Sequence, residues 1–340
     1  MTVFTFDETH ALHREAGHPE RPERLAAVRA LMEREGLWDE GRRLPTPEAS
    51  DEALARVHAE AYLELLDEVA AAGGARLDPD TYATADSVAV ARRAVGGLLA
   101  ATDAVLEGRA ANAFALTRPP GHHARPFAPM GFCLYANVAL AVEHARAAHG
   151  VERVLVVDFD VHHGNGTQEV FYADPDVLVV TSQQYPFWPG TGAITEVGVG
   201  AGRGATVNLP LPAGTGDALV ALYRRVLPPL AARHRPEAVF LSAGYDAHYL
   251  DPIGGLALSV AGFADLARLV MEVADAHAGG RLVAALEGGY HADALAHAVA
   301  STLRVLADPS AEALDPFGPA PAPGPPLAAL EEAVCALHAL

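Results

Sequence analysis

The stretch VLVVDFDVHHGNGTQ, Val154–Gln168, starts apolar and ends in a crowd of Asp, His, Gly and Asn. Val154–Val157 is apolar on both parities, the pattern of a strand buried on both faces, as parallel sheets require. In an open α/β sheet, ligands bind beyond the carboxyl ends of the strands, so the polar half of the stretch marks a site. The candidate strand is Val154–Asp160. The same pairing recurs on either side of it. Ala113–Thr117 runs into RPPGHHA (Arg118–Ala124), and Val177–Ser182 runs into TSQQ. Ala238–Ala243 runs into SAGYD (Ser242–Asp246), and Leu282–Leu286 runs into EGGY (Glu287–Tyr290). Val3–Phe6 is a further strand candidate. Helical patterns lie between them at Arg24–Glu35, Asp51–Ala72, Ser87–Glu107, Leu134–His149, Ala218–His234 and Ala261–His277. Strand and helix in alternation predict a parallel sheet covered on both faces.

A chain of 340 residues, 51% hydrophobic and 20% charged, buries a large core and excludes general disorder. The net charge is −19, and all 24 basic residues are arginine. Without lysine there is no Schiff-base chemistry and no P-loop lysine. The acidic balance argues against a nucleic-acid partner and favours cationic ones. Cys133 and Cys335 are too few for a disulfide framework or a thiolate metal site, which points to a reducing compartment. The N-terminal MTVFTFDETH lacks the features of a signal peptide, and no run of about 18 apolar residues spans a membrane. A cytoplasmic enzyme without membrane partners is expected. Residues 1–314 read as one catalytic domain, Asp315–Pro326 as a proline-rich linker too stiff and polar for the core, and Leu327–Leu340 as a terminal helix.

Alternation along the strand puts Asp158, Asp160 and His162 on one side. Carboxylate and imidazole together suit a borderline divalent cation, zinc being the commonest without thiolates. Asp246, at the end of a neighbouring strand, is the best candidate for a third ligand, leaving a position for water. His122 and His123 follow Pro119, Pro120 and Gly121 and can both face a cavity from a tight loop. His123 is the candidate base toward water. Asp158 and Asn165 are available to orient the two rings. Tyr290, after Gly288 and Gly289, is a candidate donor to a developing oxyanion. Phe132 and Trp188 stand near glycines; composition alone favours core over channel wall for both. His144, His149, His234 and His277 are expected to face solvent. GVGAGRGA (Gly198–Ala205) lacks dinucleotide-loop spacing, and no GxSxG elbow supports a serine hydrolase.

Taken together, HPERPERL (His18–Leu25), RPPGHHA, GFCLYANVA (Gly131–Ala139), DFDVHHGNGTQ, PGTG (Pro189–Gly192), SAGYDAH and EGGY resemble the histone deacetylase superfamily, zinc amidohydrolases that include acetylpolyamine amidohydrolases and acetoin-utilisation deacetylases. The likeness covers roughly Phe4 to Arg304, and Asn165 is similar to the class II branch. It implies the arginase–deacetylase fold, an α/β three-layer architecture with a mainly parallel sheet of about eight strands. It implies one zinc per chain on Asp160, His162 and Asp246, with His122 paired to Asp158 and His123, the general base, to Asn165. Tyr290 matches the tyrosine that polarises the scissile carbonyl. Phe132, Gly131 and Trp188 match the acyl-lysine tunnel, replacing the core reading of the two aromatics; Trp188 departs from the usual phenylalanine. Arg24 matches an arginine beside an internal acetate exit. One or two structural potassium ions are implied, the first near Asp158, Asp160, His162, Ser182 and Gln183, the second near Phe171, Asp174, Val177 and Ala205.

The implied substrate is acetyl-lysine in proteins or peptides. Ile253 stands where polyamine-preferring relatives place a glutamate, so an ammonium finds no counter-charge there. Asp78 and Asp80 in LDPDTY nevertheless supply candidate rim carboxylates, which keeps acetylpolyamines as the alternative. An arginase-like ureohydrolase needs a binuclear cluster with more Asp and His ligands than the sequence offers. A non-catalytic acyl-lysine reader has no need of His123 and Tyr290 together.

Overall fold

The computed structural model describes residues 1–340. The strands are β1 (Thr2–Thr5), β2 (Arg43–Leu44), β3 (Gly74–Arg76), β4 (Tyr82–Thr84), β5 (Asn112–Ala115), β6 (Val154–Asp158), β7 (Val177–Gln184), β8 (Thr206–Leu211), β9 (Ala238–Ala243) and β10 (Leu282–Leu286). The helices are α1 (Glu23–Arg34), α2 (Asp51–Leu54), α3 (Glu60–Ala71), α4 (Ser87–Leu106), α5 (Asn137–His149), α6 (Asn165–Phe171), α7 (Ala218–His234), α8 (Val260–His277), α9 (Ala292–Ala307) and α10 (Ala328–His338). Eight strands form one sheet in the order β2-β1-β5-β10-β9-β6-β7-β8. Every adjacent pair in it is parallel. β3 and β4 form a separate antiparallel ribbon.

The two-sided burial of β6 is visible residue by residue. Leu155 and Val157 join a core built with α1, α7, α8 and α9. Val154 and Val156 join a second core with α3, α4 and α5. The period of two in a strand thus divides VLVV between two helical layers, and the expected three-layer sheet of about eight strands is what forms. α4 closes against the segment before α2 at Gly96, where a Cβ would overlap the carbonyl of Pro47.

Several expected boundaries move, for local reasons. The strand read as Val154–Asp160 ends at Asp158. Side chains there capture the backbone: Asp158 Oδ1 accepts from Asp160 N–H (3.0 Å), and Asp160 Oδ1 accepts from His162 N–H (2.9 Å). Asp160 and His162 therefore lie in a turn beyond the sheet, and strand alternation is not what brings them together. The helix read over Asp51–Ala72 is two helices, α2 and α3. His58, in the break, is buried and accepts from Ala136 N–H (3.0 Å).

The stretch Asp315–Pro326 is not free of the core. Asp315 accepts from the N–H groups of Ala261, Phe317 and Gly318, the carbonyl of Phe317 accepts from Tyr249, and the Phe317 ring packs against the larger core. α10 docks through buried Val334 and through Arg233, which donates to the His338 carbonyl (2.6 Å). His144, His149, His234 and His277 do not simply face solvent. All are half-buried, and the first three are hydrogen-bonded, His234 to the Val154 carbonyl and the other two to Asp103. No helix is long and apolar enough to cross a membrane.

Candidate metal centre and active site

The loops after β5, β6, β9 and β10 converge at the carboxyl end of the sheet. Asp160, His162 and Asp246 each point one ligand atom into a common space. His162 Nδ1 lies 3.2 Å from Asp160 Oδ1 and 3.2 Å from Asp246 Oδ2. Asp246 is held by its other oxygen, which accepts from Val161 N–H (2.9 Å), and its Oδ2 is a buried oxygen without a hydrogen-bond partner. Asp160 Oδ2 accepts from Gly288 N–H (2.9 Å). Two glycines shape the cradle. A Cβ on Gly288 would overlap Oδ2 of Asp246, and one on Gly244 would overlap Asp160. Two fixed carboxylates, one imidazole and an orphaned oxygen in a cradle closed to any methyl group fit a zinc ion.

Electrostatics show the same need for a cation. Burial raises Asp246, and the neighbouring Asp160 charge lifts it further, to about 7. Burial also opposes the charge on Asp160, but the imidazoles of His122 and His162 hold its carboxyl well below the usual range. Like charges this close share a compensating cation or one of them takes up a proton.

The histidine pair sits over this centre. His122 Nδ1 meets Asp158 Oδ2 at 2.9 Å, and His123 Nδ1 meets Asn165 Oδ1 at 2.8 Å. The partners differ in charge, and the rings respond in opposite senses. Burial works against protonation of both. At His122 the carboxylates of Asp160 and Asp158 overcome it and lift the pKa to about 10. At His123 burial, with His122 and His162 close by, pushes it well below the ordinary value. The amide oxygen of Asn165 accepts the His123 Nδ1 proton and leaves Nε2 as the free lone pair.

Tyr290 is pushed well above 10 by burial, so its hydroxyl stays a neutral donor. Arg24, buried beneath it, stacks 4.8 Å from the ring centroid. Arg24 Nε donates to the Gly289 carbonyl (2.7 Å) and Nη2 to the Glu287 carbonyl (2.5 Å). Aromatic walls close the space. Trp188 stands edge-on to His123 at 4.7 Å, and Phe132 stands edge-on to Tyr290 at 5.7 Å and to His18 at 4.7 Å. Phe132 has φ of 69°, a left-handed conformation costly for an aromatic residue and typical of functional loops. Gly131 precedes it, and a Cβ there would press on both His123 and Trp188.

At the rim, Asp80 is half-buried, its carbonyl 3.0 Å from His18 Nε2, while Asp78 is consumed by the N–H groups of Asp80 and Thr81. Ile253 follows Asp251, which binds its N–H. Ser182 and Gln183 lie two residues and one residue before the end of β7 at Gln184, beside the Asp158 turn, where the Tyr223 hydroxyl lies 3.0 Å from the Asp158 carbonyl and 2.9 Å from Ser182 Oγ. Phe171, Asp174, Val177 and Ala205 group at the opposite end of β7 and β8. There the Phe171 and Ala205 carbonyls already accept backbone N–H groups.

Sequence reasoning missed several supports. Glu287 accepts from Gly121 N–H (2.6 Å), His122 N–H (3.1 Å) and Ser242 Oγ (3.1 Å), pinning the histidine loop. Asp251 Oδ2 accepts from Tyr290 N–H (2.6 Å) and His291 N–H (3.1 Å). Phe187 stacks on His162 at 5.4 Å. The only available signal was an acid at a strand end, or an aromatic beside Trp188. A cavity of about 450 Å³ opens to one side, sharing Asn165 with the site and lined also by Arg125, Met130 and Glu169.

The family model described as Histone deacetylase domain matches residues 18–306. A Histone deacetylase-like amidohydrolase from Pseudomonas aeruginosa is 43% identical over 277 residues, 81% of this chain and 73% of that protein. The Polyamine deacetylase HDAC10 of Homo sapiens is 41% identical over 314 residues, 88% of this chain and 46% of that protein. The crystal structure of the HDA15 HD domain superposes with a TM-score of 0.85 at 36% identity, covering 90% of this chain and 89% of that one.

Proposed function

Because the chain belongs to the histone deacetylase family, we propose that it is a zinc-dependent amidohydrolase removing acetyl groups from Nε-acetyl-lysine in proteins or peptides, releasing acetate. Amide hydrolysis on the arginase–deacetylase fold is common ground with its relatives. The observation that carries the reading is a three-ligand centre, Asp160, His162 and Asp246, faced by a neutral histidine and a protonated tyrosine.

When bound by those three residues, zinc supplies Lewis acidity to the amide carbonyl and to water. His123 Nε2 takes the proton of the attacking water, since Asn165 holds the other ring nitrogen as the donor. The Tyr290 hydroxyl donates to the amide oxygen as negative charge builds there. His122, paired with the Asp158 carboxylate, holds positive charge at the cavity floor. As the C–N bond breaks, a histidine proton passes to the departing amine, and acetate and amine leave. Phe132, Gly131 and Trp188 wall the acyl chain, and Arg24, behind Tyr290, lines the acetate exit. Potassium at the Ser182 and Ala205 sites and a cytoplasmic location belong to the same proposal. Two free cysteines suit the location.

The acetylpolyamine reading is favoured by the half-buried Asp80 carboxylate and by the human relative's name. Ile253 argues the other way. Turnover of acetyl-lysine peptides and of acetylputrescine by zinc-loaded protein is the deciding comparison. A kcat/KM larger for the peptides by tenfold or more is expected, and the reverse ratio would assign the polyamine class.

A further inference from the structure

Outside the active site, one other cluster brings three metal-binding side chains to a point. Asp103, in the last turn of α4, receives two histidines of α5 on a single oxygen. His144 Nε2 lies 2.6 Å from Asp103 Oδ1, and His149 Nε2 lies 2.7 Å from the same atom. All three ligand atoms fall within 4.8 Å of one another. The side chains are half-buried, and the two imidazole centroids stand 5.8 Å apart. α5 begins at Asn137, whose side chain donates to the Pro119 carbonyl in the catalytic loop. At 1.5 Å per residue, His149 ends that helix about 18 Å farther along its axis.

We propose that Asp103, His144 and His149 form a second, peripheral site for a borderline divalent cation, zinc foremost, that clamps α4 to α5. Two imidazoles and one carboxylate are the donor set such ions select, and three protein ligands leave a position for water. Space for that water exists: a cavity of about 310 Å³ reaches Asp103 and His144 and is lined also by Glu52 and Arg56. Arg56 is the obstacle. Its Nη1 lies 3.2 Å from His144 Nδ1, and a guanidinium only donates, so Nδ1 accepts there and Nε2 carries the proton. Metal binding through Nε2 moves that proton to Nδ1 and turns Arg56 toward Glu52, its partner at 3.6 Å. No proton is lost from the ring. Arg56 thus weakens the site, both as a misplaced donor and as a charge.

The test uses the full chain, stripped with chelator, re-equilibrated with zinc chloride and freed of loose metal by gel filtration. Wild type should hold two zinc ions. His149→Ala should hold one and keep full deacetylase turnover, whereas Asp246→Ala should hold one and lose turnover. The second equivalent should raise the melting temperature of wild type and of Asp246→Ala, but not of His149→Ala. Arg56→Ala should tighten the peripheral site by roughly tenfold, the scale of removing a unit charge a few ångströms from a divalent ion near water. One zinc per wild-type chain, two retained by His149→Ala, or no tightening in Arg56→Ala each overturns the proposal. Asp246→Ala reads the peripheral site without any turnover, so the proposal can fail while the hydrolase reading stands.

Discussion

At the residue scale, the centre depends on atoms that are absent as much as on those present. Gly288 lies against the carboxylates of both Asp160 and Asp246, and a methyl group there has no free space. Gly288→Ala should therefore lower zinc affinity by more than tenfold while leaving the far-UV spectrum unchanged, as metal analysis of the dialysed variant will show; displacing a metal-orienting partner typically costs ~10–100-fold. Tyr290→Phe keeps the ring and its stacking on Arg24 but deletes the hydroxyl proposed to donate to the oxyanion. A drop in kcat of about 10²–10³-fold with unchanged zinc content is expected, and undiminished turnover would remove Tyr290 from the reaction. The residues proposed to carry this chemistry were legible because each announces itself by type: Asp160, His162, Asp246, His122, His123 and Tyr290. Glu287 and Asp251 were not, because they act on backbone N–H groups of loops distant in sequence, and a backbone partner leaves no trace in side-chain identity.

At the scale of elements, the six strands read from the sequence fall within two residues at either end because apolar runs on both parities have few other uses, whereas β2, β3, β4 and β8 were not read. The turn after β6 was misread because Asp158 and Asp160 bind their own backbone and end the ladder early. Three loops are joined by a buried ion cluster that the sequence hid. Glu20 is fully buried, with Arg118 on both oxygens (2.7 and 2.9 Å), Arg24 at 3.0 Å and His13 at 3.4 Å. Burial alone would raise its pKa, but Arg118, His13 and Arg24 hold the carboxyl below the usual range. Arg24 and Arg118 lead in turn to the Tyr290 loop and the histidine loop. Glu20→Gln strands two guanidinium groups without a counter-charge, and should cost about 3–5 kcal/mol in urea unfolding together with a fall in kcat. By contrast, Arg109→Ala cuts an exposed pair with Glu107 and should change stability by less than about 1 kcal/mol. Equal effects of the two variants would mean that the cluster is no more than surface electrostatics.

At the scale of the whole molecule, burial sets a pH dependence. Eight histidines, His10, His13, His58, His123, His163, His234, His248 and His338, are shifted down, burial being the first cause in each. His10, His58, His163 and His248 are lowered to about 4. An unfolded histidine takes its proton as pH falls through about 6.5, whereas these wait for the lower value. In that window the unfolded chain binds more protons, so the stability they contribute is complete above about pH 6.5 and is lost on acidification toward 4. Four buried acids, Asp158, Asp246, Asp251 and Glu287, and the half-buried Asp80 are shifted up, with Asp246 and Glu287 reaching about 7. They take protons first in the folded state and so oppose the trend over the same range. His122 and His162, raised to about 10, also keep their protons in the folded state and oppose the loss. The eight lowered histidines outnumber these seven groups, and calorimetry should record a falling melting temperature between pH 7 and pH 5. His58→Gln should flatten that slope by about one proton, because glutamine can accept from Ala136 N–H without titrating. A melting temperature that rises on acidification would show that the buried acids, not the histidines, govern the balance.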